Sequence, residues 1–257
     1  MKKKWLFACF FCLLFAGCAS DTTAPESVKS PEQMYSDAMK LMDESEPTLA
    51  IKELDALERE HPYSVWASRG QIMAAYLSYR TEKYTDALLI LDRFLQIHPG
   101  NKNAPYAYYL KGLCYFEQIS DIQREQENTV QALKAFQELL LRYPQTLYKE
   151  DALKRISFIQ NQLAGKEMAL GRYYLKAEVF PSAINHFQTV LKDYPQTKQA
   201  PEAFYRLMEA YLALGMNDYV SKADKALQEK YPTNDWNLRA RRLLKKYSDK
   251  TQQQPVK

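Results

Sequence analysis

Apolar and small residues recur along the chain at helical spacing, in register with one dipeptide. An aromatic or imidazole residue precedes proline at His61-Pro62, His98-Pro99, Tyr143-Pro144, Tyr194-Pro195 and Tyr231-Pro232. Twelve positions before those prolines stand Ala50, Ala87, Ala132, Ala183 and Val220. Eight before stand Leu54, Leu91, Phe136, Phe187 and Asp224, and five before stand Leu57, Phe94, Leu139, Val190 and Leu227. Offsets of four and three residues place one small and two large positions on a single helix face. Proline cannot donate the next backbone hydrogen bond and biases its predecessor away from αR, so each dipeptide closes a helix. A further twelve residues back, Ala38, Ala75, Gly171 and Met208 mark a second helix in four of the five units. The pattern predicts paired helices that touch at small residues, with large residues of the next pair filling the groove between them.

This arrangement resembles the tetratricopeptide repeat. It predicts an all-α fold, an α-solenoid of five helix-hairpin repeats at approximately 31–62, 63–99, 100–144, 145–195 and 196–232. The proline-to-proline spacings of 37, 45, 51 and 37 residues exceed the plain repeat, and two insertions account for most of the excess. In the third unit Gly112 lies twenty residues before Ala132, which predicts a polar loop over 120–128. In the fourth, Pro144 to Gly171 takes 27 residues where the other units use 13. Fourteen extra residues are close to four helical turns, so the face is kept and one long helix is expected from Leu147 to about Ala177. Beyond the repeats, Trp236, Leu243, Leu244 and Tyr247 share one face of an amphipathic capping helix over 233–248, followed by a disordered tail at 249–257.

The amino terminus has a different pattern. Lys2, Lys3 and Lys4 precede an apolar stretch from Trp5 to Ala16, too short to cross a bilayer and of export-signal type. The ending Phe15-Ala16-Gly17-Cys18 resembles a bacterial lipobox. That resemblance implies a signal peptide at 1–17, removed before a lipid-bearing Cys18, and a flexible tether of small and polar residues over 18–30. Ala19 and Ser20 lack the aspartate that retains enterobacterial lipoproteins at the inner membrane, so the periplasmic face of the outer membrane is expected.

Composition removes several function classes. Seven glycines, none closer than six positions to another, cannot form a phosphate-cradling loop. The three histidines are scattered, and no metal-ligand spacing or catalytic constellation occurs, so no metal, cofactor or enzymatic activity is expected. Cys114 would be the lone thiol of the repeat region and is read as a core residue beside Leu110, Leu113 and Phe116. Without the three signal lysines, 32 basic residues face 31 acidic ones, which gives no reason to expect nucleic-acid binding.

The stretches His61–Pro99 and Tyr143–Thr197 resemble the corresponding parts of the BamD family, the tetratricopeptide lipoproteins of the outer-membrane β-barrel assembly machinery. The long helix with Leu163, Ala164, Glu167, Tyr173 and Tyr174 is the most discriminating element. The resemblance implies a non-enzymatic scaffold that binds BamA, through its POTRA domain nearest the barrel, with the carboxy-terminal repeats. It further implies a place beside other lipoproteins of that machinery, and reception of the carboxy-terminal signals of unfolded outer-membrane proteins on the amino-terminal repeats. The third-unit loop is shorter than in enterobacterial members, so contacts made through it are not carried over. Repeat register places Tyr35, Met39, Arg69, Ile72, Tyr76 and Tyr79 along a groove with Arg80 nearby, suited to a peptide that ends in an aromatic residue and a free carboxylate. The same side chains could instead pack between hairpins. After Trp236 seven basic residues oppose only Asp249, and Arg241, Arg242 and Lys245 are a candidate basic face for BamA or the membrane surface, or a solvated cap. A secretin pilot, or an adaptor between envelope machinery and peptidoglycan, is the alternative role for such a lipoprotein.

Overall fold

A computed structural model describes residues 29–122 and 124–253; the signal segment, Cys18 and the tether as far as residue 28 lie outside the described residues. Those described form eleven helices and no strand: α1 Pro31–Asp43, α2 Pro47–Glu60, α3 Val65–Arg80, α4 Tyr84–Ile97, α5 Ala104–Phe116, α6 Glu127–Arg142, α7 Lys149–Lys176, α8 Phe180–Asp193, α9 Ala200–Ala213, α10 Asn217–Lys230 and α11 Asp235–Gln253.

Local chemistry sets the helix boundaries. Ser30 opens α1 with a reciprocal capping box: its hydroxyl accepts from the Gln33 N–H at 3.2 Å, and Gln33 Oε1 accepts from the Ser30 N–H at 3.0 Å. Lys29, one residue earlier, is pinned by Asp37 at 2.9 Å and Glu53 at 3.3 Å. The even-numbered helices α2 to α10 end at C-caps His61, His98, Tyr143, Tyr194 and Tyr231, each the residue before a dipeptide proline. Two of these tyrosines also tie successive pairs together. The Tyr143 hydroxyl donates to the Pro99 carbonyl at 3.1 Å, and that of Tyr231 donates to Pro195 at 2.7 Å. Within four pairs the turn is a Schellman motif, whose left-handed residue is Ser45, Glu82, Glu178 or Gly215. In the second pair, for instance, Lys83 N–H donates to Ser78 O at 2.9 Å and Glu82 N–H to Tyr79 O at 3.0 Å.

Each odd-numbered helix from α1 to α9 packs on its successor, and α11 closes the end against α9 and α10. The first helices of neighbouring pairs also touch, α1 with α3, α3 with α5, and α7 with α9, so they form the inner face. The outer helices diverge, leaving a cavity of about 740 Å³ between α2 and α4. Inside the pairs, side-chain sizes compensate. Ala38 and Ala75 pair with Leu54 and Leu91. Where the inner residue is glycine the outer one is phenylalanine: a Cβ on Gly112 would lie 2.6 Å from the Phe136 ring, and one on Gly171 would lie 2.4 Å from Phe187. Glycine is needed at both positions because the ring occupies the space of a side chain. The core divides within α7. One cluster ends at Leu163, and another begins at Ala164 and runs through Met168, Phe187, Met208 and Leu227.

Three sequence expectations change in detail. The loop expected over 120–128 gives up Glu127 and Asn128 to α6, and it straps across α7: Ile122 lies against Gly165, and Lys166 Nζ donates to the Arg124 carbonyl at 2.7 Å. The expected long helix is α7, which spans 28 residues. The capping helix does not stop at Ser248 before a disordered tail; α11 continues to Gln253, because Lys250, Thr251 and the glutamines after it include no helix breaker.

Candidate partner-binding surfaces

On the inner face of the first two pairs, the sequence-selected residues cluster around aromatic rings. Tyr35 on α1 and Trp66 on α3 lie 5.1 Å apart, and the Arg69 guanidinium lies 4.8 Å from the Trp66 ring centroid. Two to three turns further along α3, Arg80 Nη1 donates to the Tyr76 hydroxyl at 2.9 Å and sits over that ring. Among the described residues neither guanidinium has a carboxylate partner. Tyr79 packs on Tyr84 at 5.9 Å and reaches Glu117, and Met39 packs in the small cluster around Ala38 and Leu54. Ile72 is placed differently: it is only 9% exposed and packs with Ala75 and Leu91, so it braces the core beneath the surface.

The aromatic surface continues onto α5, which was not selected from the sequence. Tyr106 and Tyr109 both meet Tyr148, at 5.7 Å and 4.6 Å, and Tyr109 donates to Asp151 at 2.7 Å. Burial, then the neighbouring tyrosines, push Tyr106 up to about 12; burial and the Asp151 carboxylate do the same to Tyr109. Burial would raise Asp151, but its bonds from Tyr109 and from Arg155 at 2.6 Å outweigh that and hold it below the usual carboxylate value. The signal that finds these residues is register. With Gly112 aligned on Ala38 and Ala75, Tyr106, Tyr109 and Phe116 occupy the positions held by Arg69, Ile72 and Tyr79.

The inner face of the last pairs is built from charge. Arg206 binds Glu202 at 3.1 Å and Glu209 at 2.8 Å, and Arg172 joins Glu202 at 3.3 Å. Arg172, Arg206 and Glu209, with Leu175 and Lys176, line a recess of about 350 Å³. Trp236 at the start of α11 lies under two guanidinium groups, Arg239 at 4.4 Å and Arg206 at 5.8 Å, and beside Tyr205 at 5.1 Å. Arg241, Arg242 and Lys245 are exposed along α11. Across α7 and α8, Glu167 pairs with His186 at 2.7 Å, and Tyr174 stacks on the imidazole at 5.5 Å.

Burial pushes the Cys114 thiol up to about 12, and its side chain is fully enclosed. Among the described residues no cluster of histidine, cysteine, aspartate or glutamate could hold a metal ion, and no helix is long and apolar enough to cross a membrane.

Stacked helix pairs with a continuous inner face define a tetratricopeptide-type scaffold. Residues 27–228 match the family model YfiO, described as outer membrane lipoprotein. The outer membrane protein assembly factor BamD of Caulobacter vibrioides is 40% identical, covering 89% of this chain and 76% of that protein. BamD of Rickettsia prowazekii is 34% identical, over 92% of this chain and 94% of that protein. The solved TPR2AB-domain:pHSP90 complex of yeast Sti1 is similar at a TM-score of 0.43 and 14% identity, over 85% and 86% of the two chains. The chain belongs to the BamD family, the YfiO outer membrane lipoproteins.

Proposed function

We propose that the protein is a non-catalytic scaffold for assembling outer-membrane proteins, held at the periplasmic face of the outer membrane by lipid on Cys18. On this reading the inner face of the amino-terminal hairpins receives the carboxy-terminal segments of unfolded outer-membrane proteins. The carboxy-terminal hairpins and α11 bind BamA at its POTRA domain nearest the barrel, alongside other lipoproteins of the machinery. The observation that carries the substrate half is the pair Arg69 and Arg80. Both are held over aromatic rings on the inner face with no carboxylate partner among the described residues. A peptide ending in an aromatic side chain and a carboxylate supplies what that surface lacks. The family relationship supports the wider role, since the relatives are named as outer membrane protein assembly factors.

The deciding experiment separates the two surfaces. Tyr76→Ala and Arg69→Glu are expected to weaken binding of such a peptide by about tenfold or more, the cost of one charge-assisted contact, with BamA binding retained. Equal loss of both ligands, or unchanged peptide binding, would reject the assignment. Reversing Arg241, Arg242 and Lys245 together to Glu is expected to reduce BamA association and its salt sensitivity. For the anchor, mass spectrometry should find the mature chain starting at a lipid-modified Cys18.

A further inference from the structure

The inter-hairpin loops of the first three pairs form one edge of the molecule, and the chain enters at that edge. His61 Nε2 lies 3.2 Å from the Lys29 carbonyl, so the first described residue sits against the loop between α2 and α3. The Tyr143 bond to Pro99 places the next two loops side by side. Large apolar side chains project from this edge: Tyr63 is 101% exposed, Ile97 57%, Leu141 83% and Leu147 96%. The opposite turns, Glu44–Glu46 and Glu82–Lys83, expose charged and polar residues instead. Lys102 and Lys149, in or beside the same loops, add exposed positive charge.

We propose that this loop edge rests on the inner surface of the outer membrane, with Tyr63 and Leu147 entering the headgroup region. The inference relies on the lipid at Cys18 proposed above. Lys29 lies eleven positions after Cys18, a reach of no more than about 40 Å, and the chain joins the fold at this edge, so the anchor approaches from the side on which these apolar residues project. Apolar and tyrosine side chains, flanked by Lys102 and Lys149 and by the likewise exposed Glu60 and Glu150, partition into a headgroup layer through their rings and alkyl groups. The acyl anchor supplies the affinity and the edge supplies the orientation, turning the aromatic inner face sideways to the membrane.

The test uses the lipidated full chain reconstituted into vesicles of phosphatidylethanolamine and phosphatidylglycerol. Tyr63→Cys, Leu147→Cys and, as the opposite-edge control, Thr85→Cys each carry an environment-sensitive maleimide dye; the enclosed Cys114 thiol does not compete. Blue-shifted emission, quenched by lipids brominated in their acyl chains, is expected at positions 63 and 147 and absent at 85. A chain that floats with the vesicles while all three probes report water overturns the orientation and leaves the anchor standing. A chain that does not float shows that the anchor itself fails, and the inference falls with it.

Discussion

The inner faces of the two halves use the same four register positions for opposite chemistries. In the third pair those positions hold Tyr106, Tyr109, Leu113 and Phe116; in the fifth they hold Glu202, Tyr205, Glu209 and Leu212. The amino-terminal half therefore presents tyrosines stacked on tyrosines, with arginines laid over rings. The carboxy-terminal half presents an arginine–glutamate network that ends in a tryptophan under two guanidinium groups. A repeat backbone fixes where side chains point and leaves their chemistry free, so one solenoid carries two unlike surfaces. The division of the core inside α7 gives each surface its own support.

Removing the central ring of either half challenges that independence most severely. Phe136→Ala and Phe187→Ala are each expected to cost about 3–5 kcal/mol, since both rings are fully buried against a glycine. Hydrogen exchange should accelerate in α8 to α10 for Phe187→Ala with α1 to α4 still protected, and chiefly in α5 and α6 for Phe136→Ala. Equal acceleration throughout would mean one cooperative core. A smaller effect is expected from Ala132→Leu and Ala183→Leu. Both alanines are fully buried, and overpacking them should cost about 1–3 kcal/mol in thermal or denaturant unfolding. The gentlest probe is alkaline titration. Tyr106 and Tyr109 are raised from 10 to about 12, so the folded chain holds their protons where the unfolded chain has lost them. Their contribution to stability is complete below pH 10 and declines as pH rises toward about 12. Spectrophotometric titration should show these two phenols ionising late, and Tyr106→Phe should remove part of the alkaline decline.

Much of this architecture was legible because the closing dipeptides act locally. A proline and the aromatic before it terminate a helix whatever surrounds them, and the alanines and leucines in register with them are all fully or almost fully buried. The turns within pairs were harder to see. Left-handed geometry announces itself through glycine, yet only Gly215 does so, while Ser45, Glu82 and Glu178 adopt it because the flanking helices leave no other closure. The candidate site was legible by position and less so by role. Register found Tyr76 and Arg69, but whether a register position lines the surface or braces the core depends on how far the next pair rotates. Ile72 went to the core for that reason. Trp66, outside the chosen positions, became the ring on which Arg69 rests.

The length of α7 also governs which changes the protein tolerates. Its 28 residues extend about 42 Å, and each residue advances the chain by about 100° of rotation. Adding or deleting a single residue near Leu163 would turn everything beyond it by more than a quarter of a circle. The recess around Arg206 would then face away from the side that Tyr109 faces. Insertions and deletions in this helix are therefore geared: steps of seven or eleven residues, each within about 20° of whole turns, keep the halves aligned, and a step of one or two residues does not.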